Sequence, residues 1–183
     1  MEIAAGTAQR PSGETAKGSP GKNVDGVLEK NNVRVEISSS LLDILRLTNS
    51  TADPSCGAIS TFIGTTRDNF GDKMVQKLEY EAYTRMALLE MLKVGEVVKS
   101  KWPDVFKIVY AHRVGTVPVM EASIVIAISS PHRKASLEAV QFSIDELKAR
   151  VPIWKKEVYL PGEVDHQAEW KKNAVQARIP SGN

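Results

Sequence analysis

Apolar and polar positions alternate from residue 33, with Val33, Val35 and Ile37 on one side of an extended segment and Arg34 and Glu36 on the other. The period then changes. Leu41, Leu42, Ile44, Leu45 and Leu47 follow Ser38 to Ser40, which predicts a helix with a serine cap. Asp53-Pro54 marks a turn, and residues 57–64 read as a strand running into a polar loop over 65–72. Residues 77–83 alternate again, with Leu78, Tyr80 and Ala82 on one side. Leu88, Met91, Leu92, Gly95 and Val98 recur at helical spacing, predicting an amphipathic helix over 84–100 that Trp102-Pro103 ends. Strands over 105–111 and 122–129 follow, joined by a loop holding Arg113, Gly115 and Pro118. A second long helix is predicted from Pro131 to about Arg150, with Leu137, Val140, Ile144, Leu147 and Val151 as its core stripe. Pro131 suits its first position, Ser129 or Ser130 its cap, and Pro152 its stop. Residues 153–160 read as a last strand. The order β-α-β-β-α-β-β-α-β predicts an α+β fold, with a mostly antiparallel sheet and helices packed on one face.

The two ends fall outside this pattern. Gly6, Gly13, Gly18, Gly21 and Gly26 crowd the start together with Pro11 and Pro20, and no aromatic residue precedes Phe62. Residues 1 to about 30 are therefore expected to be a disordered tail, because they bury too little apolar surface to offset their ordering entropy. Residues 31–183 are expected to form a single domain, flexible after Gly162, where the chain is polar.

Composition narrows the function classes. A net charge of +2 over 183 residues is too small to argue for a nucleic-acid partner. The densest apolar run, Ile124-Val125-Ile126-Ala127-Ile128, falls far short of a membrane span of about 20 residues. The start has neither the apolar core of a signal peptide nor the basic bias of a transit peptide. One cysteine, Cys56, excludes an internal disulfide and a multi-cysteine zinc site, so a reducing cytosolic setting is expected. His112, His132 and His166 are too scattered to suggest a metal centre, and no glycine-rich phosphate loop occurs, so neither metal nor cofactor is expected.

Two basic clusters carry the candidate chemistry. His132 and Arg133 sit at the predicted helix start, where unpaired backbone N–H groups favour an anion. Surface solvation explains them as simply, although cations there oppose the helix dipole by roughly 0.3–1 kcal/mol each. Lys148 ends the same helix, and Lys155, Lys156 and Glu157 open the last strand. Period-2 geometry puts Lys155 and Glu157 on one face, Trp154 and Lys156 on the other. Lysines in such places commonly serve helix ends and strand edges. Clustered cations also lower one another's pKa, which is how a lysine becomes a base or nucleophile near neutral pH. Arg67 lies in a polar loop directly after a strand, a frequent home of binding residues as well as of solvated charges. His112 and Arg113 end a strand, where a salt-bridge network is one expectation. Cys56 reads as a small buried hydrophobe in preference to a nucleophile.

These residues also carry a family resemblance. Gly57-Ala58 with Phe62-Ile63-Gly64-Thr65-Thr66-Arg67, His112-Arg113-Val114-Gly115, Ser130-Pro131-His132-Arg133-Lys134-Ala135 and Lys148-Ala149-Arg150-Val151-Pro152-Ile153-Trp154-Lys155-Lys156-Glu157 resemble the catalytic, larger subunit of molybdopterin synthase. The likeness covers roughly residues 33–160. It implies an α/β hammerhead-type fold and a homodimer at the core of a heterotetramer. The implied partner is a small ubiquitin-like sulfur carrier whose C-terminal Gly-Gly thiocarboxylate enters the site. The implied substrate is cyclic pyranopterin monophosphate, and the implied product is the dithiolene of molybdopterin.

With that likeness, His132 and Arg133, assisted by Arg67, are expected to bind the substrate phosphate. Lys148 and Lys155 are expected at the sulfur-transfer centre, moving protons or stabilising the oxyanion as sulfur leaves the acyl carbon. Lys156 and Glu157 are expected to orient substrate and lysines. A lysine transiently amide-linked to the carrier ranks lower, since an amide ends turnover. The alternative class is a non-catalytic module that binds a ubiquitin-like partner and a phosphorylated ligand without consuming either.

Overall fold

The computed structural model describes residues 24–161 and 171–172. Its elements are β1 (Gly26–Lys30), β2 (Val33–Ser38), α1 (Ile44–Asn49), β3 (Ala58–Thr65), β4 (Asn69–Phe70), β5 (Lys73–Ala82), α2 (Thr84–Lys101), β6 (Lys107–Arg113), β7 (Gly115–Pro118), β8 (Ala122–Ser130), α3 (Arg133–Arg150), β9 (Ile153–Tyr159) and β10 (Lys171–Lys172). Every predicted element is present, in the predicted order. The fold is α+β with mostly antiparallel pairing and three helices.

The strands divide into two sheets. The first runs β1-β2-β6-β8-β3, and its one parallel pair is β2 with β6. The second runs β10-β9-β5-β4, with β7 also paired to β5. All nine residues of β8 are buried, as expected of a central strand covered on both faces. Ile108, Tyr110, Ile126 and Ile128 point toward α2 and α3, joining Met91, Val98, Ile144 and Leu147 in the main core. Val109, Ala111, Val125 and Ala127 point the other way, against Leu42 and Leu47 beside α1. The expectation of helices on one face therefore holds for α2 and α3, while α1 covers the opposite face. At Gly95 the backbone of α2 lies so close to β2 that a Cβ there would overlap Val33 Cγ1.

Local chemistry shifts several boundaries. The expected tail gives way before residue 30, because β1 pairs with β2 from Gly26↔Ile37 to Lys30↔Val33. The first helix starts later than its leucines suggest. Asp43 caps it, accepting from Arg46 N at 2.9 Å, and Leu41 and Leu45 stay exposed. The long helix starts at Arg133 with His132 as its cap residue, φ −128° and ψ 141°. Ser130 instead donates to the His132 carbonyl at 2.7 Å, and Ser129 Oγ accepts from Lys107 N at 3.2 Å. Leu137 lies on the solvent side of α3. The core side carries Ser136 and Ser143, buried by hydrogen bonds to Ser60 (2.8 Å) and Tyr110 (2.7 Å). The expected flexibility after Gly162 lies outside the described residues, apart from the short β10 pairing Lys171↔Lys155 and Lys172↔Trp154.

Candidate active site

A cleft of about 460 Å³ opens where the C-terminal end of α3 meets both sheets. That volume falls within the usual range of small-molecule sites, about 300–1,000 Å³. Phe62, Ile124, Leu147 and Val151 give it apolar walls, and Arg67, Lys148, Lys155 and Glu157 bring charge to it. Three cations against one carboxylate make it electropositive, which suits an anionic ligand.

Each charge is positioned by a different element. Pro152 ends α3 and turns the chain into β9, so Lys148 on the last helical turn and Lys155 on the strand face one space. Along β9 the alternation puts Lys155, Glu157 and Tyr159 on the cleft side. Lys155 Nζ lies 3.3 Å from Glu157 Oε1, and the Tyr159 hydroxyl donates to Glu157 Oε2 at 2.9 Å. Glu157 is only 6% exposed, so this carboxylate is a buried anchor for the lysine. Desolvation first, and then the same carboxylate, push the Tyr159 phenol upward, so the hydroxyl stays protonated and able to donate. The Lys155 ammonium stands 5.8 Å from the centre of the Phe70 ring. Lys148 is exposed at the rim and has no carboxylate partner among the described residues. Arg67 follows β3 and is also exposed.

The floor of the cleft is formed by buried polar residues. His112, 5% exposed, meets Tyr80 edge-on, with ring centres 4.9 Å apart. Its Nδ1 lies 2.7 Å from the Arg113 carbonyl oxygen. Burial lowers its pKa to about 4, against a partial offset from that hydrogen bond. The Tyr80 hydroxyl shares a hydrogen bond with Ser123, and burial pushes the phenol upward. Ser123 in turn donates to the Gly64 carbonyl at 3.1 Å. The expected salt bridge at the end of β6 is Arg113 with Glu121, and His112 takes no part in it.

Arg67, Lys148, Lys155 and Glu157 thus come together, while three expected residues stand elsewhere. His132 and Arg133 lie at the far end of α3, exposed, roughly 22 Å from Lys148 along a helix rising about 1.5 Å per residue. Within one chain they share no ligand with the lysines. Lys156 sits on the opposite face of β9, in register with Glu79, and does not line the cleft. Phe70, Tyr80, His112 and Tyr159 are site residues that the sequence reading did not select. The alternation that paired Lys155 with Glu157 extends to Tyr159, so that residue carried a usable signal. Cys56 is half-buried in a turn, its Sγ 3.8 Å from Ser55 Oγ. Among the described residues no group of three His, Cys, Asp or Glu side chains is placed to hold a metal ion, and no helix is long and apolar enough to cross a membrane.

A fold with two sheets and a cation-lined cleft at the end of its last long helix defines a family. The MoaE protein family model matches residues 37–150. The molybdopterin synthase catalytic subunit 1 of Aedes aegypti is 55% identical over 139 residues, covering 76% of this chain and 88% of that protein. The molybdopterin synthase catalytic subunit of Drosophila erecta is 56% identical over 144 residues, or 79% of this chain. The chain spans only 38% of the length of that Drosophila protein. Among solved structures, molybdopterin synthase from Staphylococcus aureus superposes with a TM-score of 0.68 at 31% identity, covering 74% of this chain and 94% of that one. A complex of subunits 1 and 2 of molybdopterin-converting factor from Helicobacter pylori shares the fold, with a TM-score of 0.59 at 23% identity. The chain belongs to the MoaE family.

Proposed function

We propose that this chain is the catalytic subunit of a molybdopterin synthase. It transfers sulfur from the C-terminal thiocarboxylate of a small ubiquitin-like carrier to cyclic pyranopterin monophosphate, building the dithiolene of molybdopterin. The observation that carries this reading is the convergence of Lys148 and Lys155 on one cleft, the second held by the buried Glu157. The relatives' names and the family match support it.

The cleft chemistry follows from charge. The thiocarboxylate sulfur takes the place of an oxygen substituent on the pterin side chain, water then adds to the acyl carbon, and the acyl carbon–sulfur bond breaks, leaving sulfur on the pterin and a plain carboxylate on the carrier. The tetrahedral centre between those states bears an oxyanion, and an ammonium held in a partly desolvated cleft offsets that charge. Lys155 is held for this by the carboxylate behind it. Lys148, without a carboxylate partner among the described residues, is the better proton carrier of the two. Arg67 at the mouth suits a phosphate.

His132 and Arg133 enter this reading only through a second copy. In a homodimer, the α3 start of one protomer reaches the cleft of the other and completes the phosphate site, which is consistent with their roughly 22 Å separation from Lys148 along a single helix. The heterotetramer with the carrier and a cytosolic setting belong to the same proposal, the latter supported by the single cysteine.

The test is a single-turnover assay with thiocarboxylated carrier and cyclic pyranopterin monophosphate, read by mass spectrometry. The expected result is carrier converted to its plain carboxylate and two sulfurs gained by the pterin. A stable complex with unspent thiocarboxylate overturns the enzyme reading in favour of a binding module. Mixing Lys155→Ala with Arg133→Ala tests the shared site: each variant alone is inactive, and hybrid dimers regain activity because one of their two clefts is intact. No recovery on mixing removes the second-copy role.

A further inference from the structure

We propose that His112 is a substrate-recognition residue, its Nε2 accepting a hydrogen bond from a ring N–H or amino group of a fused nitrogen heterocycle seated in the cleft. This rests on the function proposed above and deepens it, assigning the end of the site that reads the heterocycle as distinct from the end that handles phosphate and sulfur.

The tautomer follows from geometry. A carbonyl oxygen only accepts, so the 2.7 Å contact between His112 Nδ1 and the Arg113 carbonyl puts the ring proton on Nδ1. Nε2 is then a bare lone pair, and among the described residues it has no hydrogen-bond partner. The ring lines the cleft and is fixed in plane by Tyr80, edge-on at 72°. An unpaired acceptor that opens onto a ligand cavity is a candidate for ligand contact. Its lowered pKa keeps the imidazole neutral across the physiological range, so the acceptor is present when the enzyme works.

Thr65 and Asn69 line the cleft at exposed positions, and the remaining neighbours leave the buried end to His112. Arg67, Lys148 and Lys155 are donors only. Glu157 is already engaged by Lys155 and by the Tyr159 hydroxyl. The Tyr80 hydroxyl and Ser123 are bonded to each other, and Ser123 also to the Gly64 carbonyl. Phe62 and Ile124 offer flat apolar contact beside the ring. A planar heterocycle with a donor edge matches this floor, and a ligand without that donor leaves Nε2 unpaired on binding.

The experiment is equilibrium binding of cyclic pyranopterin monophosphate to the full chain, by calorimetry, for wild type, His112→Phe and His112→Gln. The Phe variant is expected to lose about tenfold or more in affinity, the size of one buried hydrogen bond. The Gln variant, whose amide oxygen can stand near Nε2, is expected to stay close to wild type. Wild-type affinity in the Phe variant overturns the inference, as does a folded Gln variant as weak as Phe. Independently of any variant, the Nε2 resonance of His112 in ¹⁵N-histidine-labelled wild type is expected to shift at substrate saturation; an unmoved resonance overturns the inference. Wild type that neither binds nor converts the pterin overturns the functional reading itself, a result distinct from all of these.

Discussion

The two sheets are built from opposite kinds of strand. β8, in the first, has no exposed residue and reads as an apolar run of isoleucine, valine and alanine flanked by serines. β9, in the second, spans the same chemistry as the cleft: Ile153 is buried, yet Lys155 and Glu157 occupy the same face. One sheet is a platform whose stability comes from apolar burial. The other is a display whose inward positions carry charge that the core does not need. The difference separates residues that hold the fold from residues that line the cleft, with His112 at the seam, on a platform strand but facing the cleft.

That contrast can be broken from either side. The largest effect is expected from Lys148→Ala and Lys155→Ala, each lowering turnover by about 10²–10⁴-fold while leaving carrier binding largely intact, as checked by rapid-quench assay and calorimetry. Ile126→Ala in the fully buried platform should do the reverse, costing about 2–5 kcal/mol of stability in denaturant melts with little change in turnover per folded molecule. The seam has its own signature. The unfolded imidazole of His112 titrates at its ordinary 6.5 and the folded one at about 4, so between those values the unfolded chain binds a proton that the folded chain refuses. Stability should therefore fall as pH drops from 6.5 toward 4, by up to about 3 kcal/mol, and His112→Gln should flatten that slope in pH-dependent melts. The smallest effect is expected from Tyr159→Phe, which removes one donor to Glu157 and should lower turnover by roughly tenfold or less without moving the melting midpoint much.

The platform was legible because burial on both faces writes itself as an apolar run, and the long helices because their stripes persist over several turns. β1, β4, β7 and β10 were not, because they are short and formed by pairing: β1 and β4 across tight hairpins, β7 and β10 with strands more distant along the chain. Asn69-Phe70 forms a strand only through Lys73 and Met74 across a tight hairpin. Leu137 misled because Ser136 and Ser143 take the core side of α3, an arrangement that only the hydroxyls of Ser60 and Tyr110 make favourable. The cleft lysines were legible as a charge motif with strand alternation behind it. The separation of His132 and Arg133 from them was not, since a charge motif does not record that a helix holds its own ends apart. His112 escaped because its tautomer is set by a backbone carbonyl, and no residue type records that.

The parallel pairing of β2 with β6 has a consequence for how the chain is made. Val33 joins Ile108 and Ala58 joins Ser130, so the platform cannot close until most of the domain has left the ribosome. During synthesis β2 emerges with only β1 beside it, and β3 emerges before its neighbour β8 exists. Folding is then limited by late closure of long loops, a regime that favours slow assembly and dependence on chaperones that shield nascent strands.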